Sequence, residues 1–180
     1  MPKIIMTGQG GCLTTNDDEL ANRIRKLKDF GRISGGIDIH DEFGINSKFT
    51  EFQAIVGLDQ LKNINWRIKR KKKIYNIYYN YLKHIDDIEF LETDLNITTP
   101  WFIDIYIEKR KELSEFLINN NIKTRNIYPS IPSQKCYNID FNFPTTERYS
   151  SRGLWLPSSL TLKDDEIKYI CNKIKEFYEK

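Results

Sequence analysis

Several absences narrow the chain before anything present does. No apolar run approaches the length needed to span a bilayer, and near the start only Ile4-Ile5-Met6 is apolar, too short for a signal-peptide core. A membrane partner is therefore not expected, and a cytoplasmic location is. Cysteine is scarce, with Cys12, Cys136 and Cys171 odd in number, widely spaced and free of any CxxC pair. That excludes a disulfide framework and a zinc site, leaves no metal to expect, and predicts three buried thiols in a reducing compartment. Neither sign of charge dominates, since 28 basic and 25 acidic residues leave +3. A nucleic-acid partner would want a basic fold with aromatic platforms, so none is expected. Internal repeats and low-complexity segments are also missing.

What is present is enough apolar residue, 39% of 180, to build a real core. Gly11 to Thr15 reads as a short strand, and Asn16-Asp17-Asp18-Glu19 as a capping box opening a helix with Leu20, Ile24 and Leu27 on one face, ending near Gly31. Residues 31 to 47, rich in glycine and aspartate, read as a long ordered loop. Thr50-Glu51-Phe52-Gln53 is a second capping box, and the helix behind it, bent near Asn65-Trp66, continues to Leu82. Its basic run, Arg67 to Lys73, reads as a solvated helix face. Short units follow: strands at Trp101 to Ile107, Ile122 to Ile127 and Leu154 to Leu156, and helices at Lys109 to Asn120 and Asp164 to Tyr178. This predicts a small α+β domain over 91–180, after a first part over 1–90 that ends with the long helix.

The first eleven residues, Met1-Pro2-Lys3-Ile4-Ile5-Met6-Thr7-Gly8-Gln9-Gly10-Gly11, organise the functional reading. They place one amine before a tight turn whose glycines suit positive φ or a close approach to a ligand. Lys3, Thr7-Gly8-Gln9-Gly10-Gly11 and Thr15-Asn16-Asp17 together resemble the cofactor-lysine segment of the DegT/DnrJ/EryC1/StrS family of pyridoxal-phosphate-dependent sugar aminotransferases. Gln9 stands where that family usually has glutamate. Gly44-Ile45-Asn46-Ser47-Lys48-Phe49-Thr50-Glu51-Phe52-Gln53-Ala54 is similar to a second family segment, and Ile122-Lys123-Thr124-Arg125-Asn126-Ile127-Tyr128-Pro129 to a third. Pro132 replaces a histidine found in many members.

The resemblance implies an α/β chain forming the C-terminal part of a PLP-transferase, aspartate aminotransferase-like fold, a remnant of the large cofactor-binding domain plus the small domain. It implies that Lys3 forms the imine with pyridoxal 5'-phosphate and shuttles the proton. Asn46 would reach the cofactor phosphate of another subunit, and Arg125 and Tyr128 would lie near the sugar nucleotide. Gln53 reads as a buried packing residue. The family's remaining cofactor contacts precede the lysine, so a complete site calls for a homodimer or a complementary N-terminal half. The expected activity is amination of a keto sugar nucleotide with a donor such as glutamate, in nucleotide-sugar and polysaccharide biosynthesis, with little activity from this chain alone. The alternative is a non-catalytic dimerisation or interaction fragment docking onto a complementary chain.

Overall fold

The computed structural model describes residues 3–138 and 140–179, and Met1 and Pro2 of the lysine segment lie outside them. The chain divides into two compact units, residues 5–64 and residues 65–179 with 3–4.

The unit of residues 5–64 is held together by backbone turns and ion pairs. Gly8 and Gly10 take φ of 81° and 143°, and Thr7 Oγ1 donates to the Gln9 carbonyl at 2.9 Å, so residues 7–11 form a turn. No strand follows at 11–15, which stay irregular because no neighbouring strand pairs with them. Helix α1 (Asp18–Leu27) is capped by Asp17, whose carboxylate accepts from Leu20 N, instead of by Asn16 with Glu19 as the sequence suggested. Beyond it Gly31 turns at φ 76°, where a Cβ would meet the Glu42 carbonyl oxygen at 1.8 Å. Only glycine fits that crossing. The loop of residues 31–47 folds back through Phe30 N to Ile45 O and Ser47 N to Lys28 O. Lys26 pairs with Asp41 at 2.8 Å, and Lys48 with Asp29 at 3.0 Å. Helix α2 (Glu51–Lys62) opens with the expected capping box between Thr50 and Gln53. Gln53 is half-buried and also donates to the Gln9 carbonyl at 2.7 Å, tying the glycine turn to α2.

Asn63 separates α2 from α3 (Ile64–Leu82), so the expected single bent helix is two helices. The unit of residues 65–179 contains a hydrophobic core. Ile74, Tyr78 and Leu82 of α3, four residues apart, share one buried face. They share a core with β1 (Ile103–Tyr106), α4 (Arg110–Asn119), β3 (Gly153–Leu156) and α6 (Asp164–Tyr178), while the two-residue β2 (Arg125–Asn126) is exposed. Helix α5 (Pro144–Arg152), which the sequence reading did not anticipate, precedes β3 directly. The sheet is antiparallel in order β1-β3-β2. Ile103 and Ile105 of β1 and Leu154 and Leu156 of β3 point to the core with Leu113, Leu117, Ile167, Ile170 and Ile174, each worth roughly 1.5–3 kcal/mol on full burial.

Two local expectations change here. The basic run is not simply solvated: Lys71 is buried and donates to the carbonyls of Trp101 at 2.9 Å and Ser158 at 2.7 Å. Arg70 reaches the Leu162 carbonyl and, with Lys73, the Asp164 carboxylate, whose pKa hydrogen bonds from Lys73 and then Arg70 hold at about 2. Of the cysteines only Cys171 is buried, because Cys12 and Cys136 fall on irregular or short segments away from the core. Among the described residues no helix is long and apolar enough to cross a membrane, and no group of three or more His, Cys, Asp or Glu could hold a metal.

Candidate active site

Lys3 is exposed, and its ammonium lies 3.2 Å from the centroid of the Trp101 ring. No carboxylate pairs with it among the described residues. The adjoining Ile4 carbonyl accepts from Arg67 at 3.3 Å. An exposed amine on an aromatic face is held in place while its nitrogen remains open to an electrophile once deprotonated.

Asn46 belongs to the unit of residues 5–64. Its backbone bridges Asp29, and its side-chain amide is exposed without a protein hydrogen bond among the described residues. Both N–H groups are available to an anion such as phosphate. An amine able to condense with an aldehyde and an amide able to donate to phosphate suit pyridoxal phosphate in kind. They fall in different units of the chain.

Arg125 and Tyr128 do come together. In the antiparallel register Asp104 of β1 and Arg125 of β2 both pair with Trp155 of β3, so the three form one row across the sheet face opposite the core. The Arg125 guanidinium lies 5.3 Å from both the Tyr128 and Trp155 ring centroids, and those rings meet edge to face at 4.8 Å. Among the described residues no carboxylate neutralises Arg125, leaving its planar fork of donors for an anion.

A cavity of about 360 Å³ opens on this face, lined by Tyr75, Trp101, Phe102, Asp104, Tyr128 and Trp155 among others. Burial pushes the Asp104 carboxyl above its ordinary value, against a weaker opposing pull from hydrogen bonding to Trp155. Tyr128 also lines a second opening of about 690 Å³ with Arg110, Arg125, Ser130 and Ser133. The sequence reading missed Trp101, Asp104 and Trp155. The alternation of Ile103, Asp104 and Ile105 was a usable signal, because period two puts a polar residue on the face away from the core.

The GDP-perosamine synthase of Vibrio cholerae is 32% identical over 98% of this chain and 50% of its own length. The dTDP-4-amino-4,6-dideoxy-D-glucose transaminase of Shigella dysenteriae is 30% identical over 97% of this chain and 50% of its own. A DegT DnrJ EryC1 StrS aminotransferase from Brucella abortus superposes with a TM-score of 0.83 at 26% identity, covering 92% of this chain and 45% of that one. The chain thus spans about half the length of the curated relatives it matches, and it has the α/β fold of that portion of the aminotransferase. A family model matches residues 2–175, and the chain belongs to the DegT/DnrJ/EryC1/StrS aminotransferase family.

Proposed function

We propose that this chain supplies the lysine-bearing half of a pyridoxal-phosphate-dependent aminotransferase that aminates a keto sugar nucleotide. The observation that carries the reading is the family match through Lys3 to residue 175, combined with an exposed Lys3 amine that no acid engages among the described residues. Relatives at 30% identity or more are named as a GDP-perosamine synthase and a dTDP-4-amino-4,6-dideoxy-D-glucose transaminase. In this proposal residues 1–90 belong to the large cofactor-binding domain and residues 91–180 to the small one, although compactness divides the chain at the start of α3.

Pyridoxal phosphate, when bound, withdraws the electrons left behind as a proton departs from the substrate carbon. The Lys3 amine is the group on this chain that would hold the cofactor through its aldehyde and, once free, would move that proton between carbon atoms. Lysine suits both tasks because its neutral amine is a nucleophile and a base. The Asn46 amide would donate to the phosphate of the cofactor held by another subunit, and Arg125 and Tyr128 engage the diphosphate-bearing substrate. The acid for the pyridine nitrogen, the stacking ring and the rest of the phosphate cradle come from another segment or another copy.

The test is complementation. Co-expression with the half of a related transaminase that this chain does not match is expected to give a complex that retains cofactor and turns over a keto sugar nucleotide with glutamate. Lys3→Ala removes that turnover. Full activity without Lys3 overturns the assignment. A non-catalytic docking role is the second reading, favoured by α2, which has no buried residue and leaves Phe52 85% exposed. A complex that assembles yet never turns over selects it.

A further inference from the structure

Two residues that line the cavity beside Trp101 each have one buried side-chain polar atom without a partner among the described residues. Trp101 Nε1 and Asp104 Oδ1 are both buried and without hydrogen-bond partners, one a pure donor and the other an acceptor in the ionised carboxylate. Buried polar atoms are ordinarily paired, so an orphaned donor and an orphaned acceptor on two residues of one cavity wall fit a ligand that offers both functions. The remaining walls are rings. Trp101 stacks on Phe102 at 4.5 Å and 25°, and Phe102 on Trp155 at 3.9 Å and 12°, forming an aromatic ladder. A cation sits at each end of that ladder, the Lys3 ammonium over Trp101 and the Arg125 guanidinium over Trp155.

The geometry points to a seat for the hexose ring of the substrate between Lys3 and Arg125, in which Trp101 Nε1 donates to one sugar hydroxyl and Asp104 accepts from another. This rests on the aminotransferase reading and deepens it. A hexose suits the site on three counts. Its C–H face is apolar and lies against aromatic rings, and its hydroxyls both donate and accept. A volume of about 360 Å³ sits at the small end of ligand cavities, adequate for one sugar ring but not for a whole sugar nucleotide. The order of groups also suits the substrate: Arg125 lines the second opening, which shares Tyr128 with the cavity and would take the diphosphate, and the Lys3 ammonium lies over Trp101 on the cavity wall. A nucleobase placed in this cavity would send the sugar away from that amine. Trp101 and Asp104 therefore act as specificity-determining residues.

The test measures binding of GDP-mannose against GDP, and of dTDP-glucose against dTDP, to the 180-residue chain by titration calorimetry. For at least one pair the sugar-bearing form is expected to bind about tenfold tighter than the bare diphosphate, in line with one or two net hydrogen bonds. Trp101→Phe keeps a stacking ring and loses the N–H; Asp104→Asn keeps the shape and loses the charge. Each is expected to erase most of the sugar advantage while leaving bare-nucleotide affinity in place. Arg125→Ala is expected to weaken both members of a pair alike. The Trp101 indole N–H resonance should shift with the sugar nucleotide and not with the bare diphosphate, a response that a merely structural tryptophan would not give. Equal binding of both members in both pairs, variants that weaken both equally, or no binding at all overturns the sugar seat. Borohydride trapping of pyridoxal phosphate in the complemented complex separates the two claims. A sugar advantage without trapping at Lys3 retains the seat and rejects the lysine role, whereas trapping without a sugar advantage does the reverse.

Discussion

Helices α2 and α3 are consecutive in sequence, similarly apolar in content, and differ completely in what they bury. α3 places Ile74, Tyr78 and Leu82 in a core at 0% exposure, whereas α2 leaves Ile55 65%, Leu58 64% and Leu61 50% exposed. The contrast extends to their units. Residues 65–179 close around a shared aliphatic core, while in residues 5–64 Gly31 alone is buried among the described residues. In the unit of residues 65–179 the apolar stripe of α3 is covered by that unit's own sheet and helices. In α2 the apolar residues are not confined to one stripe, the pattern of a helix meant to be covered on more than one side. Stability should therefore reside in the unit of residues 65–179, with the other depending on turns, caps and ion pairs that contribute about 1 kcal/mol or less apiece.

A matched pair of substitutions in α4 and α2 is expected to give the largest difference between the two units. Leu117→Ala in α4 should cost about 2–5 kcal/mol, because the cavity it leaves is enclosed on all sides. Leu58→Ser in α2 should change stability by less than about 0.5 kcal/mol and reduce self-association. Urea unfolding followed by circular dichroism measures both, and similar costs at the two sites would mean that α2 is covered after all.

A smaller effect sharpens the account of the basic run. Lys71→Met keeps the aliphatic stem but leaves the Trp101 and Ser158 carbonyls without their donor, at a cost on the order of 3 kcal/mol or less. Near-ultraviolet circular dichroism should show the Trp101 signal loosening. An unchanged midpoint and spectrum would return Lys71 to the status of a surface lysine.

The smallest effect distinguishes the units by pH. Burial raises Cys171 from 9.0 to about 12 and Tyr178 from 10.0 to about 12. Both are neutral acids in the folded chain, so above pH 9 the unfolded chain has lost protons that the folded chain still holds, and stability falls as pH rises from 9 toward 12. In residues 5–64 the raised group is Lys26, hydrogen-bonded to Asp41, and its contribution fades only above its ordinary value of 10.5. Trp66, Trp101 and Trp155 all lie in the unit of residues 65–179, so tryptophan fluorescence reports that unit alone. Its unfolding midpoint should drop between pH 9 and 10.5, and Cys171→Ala should flatten the drop. A flat profile in the unsubstituted chain would contradict the linkage.

The sequence alone determined the features set by neighbours within a few residues. Helix α6 runs over the residues that its apolar spacing marked, Asp164 to Tyr178, and Thr50 and Gln53 form the box that their spacing requires. The lysine and glycine segment was legible as a family motif because its residue types are constrained at fixed local positions. Tertiary structure decided everything that depends on register or on distant partners. Residues 11–15 have strand-like composition and no strand, since pairing needs a neighbour that local sequence cannot specify. Lys71 is buried inside a charge run because carbonyls 30 and 87 residues further along the chain converge on it. The row of Asp104, Trp155 and Arg125 exists only through the β1-β3-β2 register, which joins residues separated by up to 51 positions in sequence. Local spacing fixes which face of a strand a side chain occupies, but only the folded sheet fixes which side chains share that face.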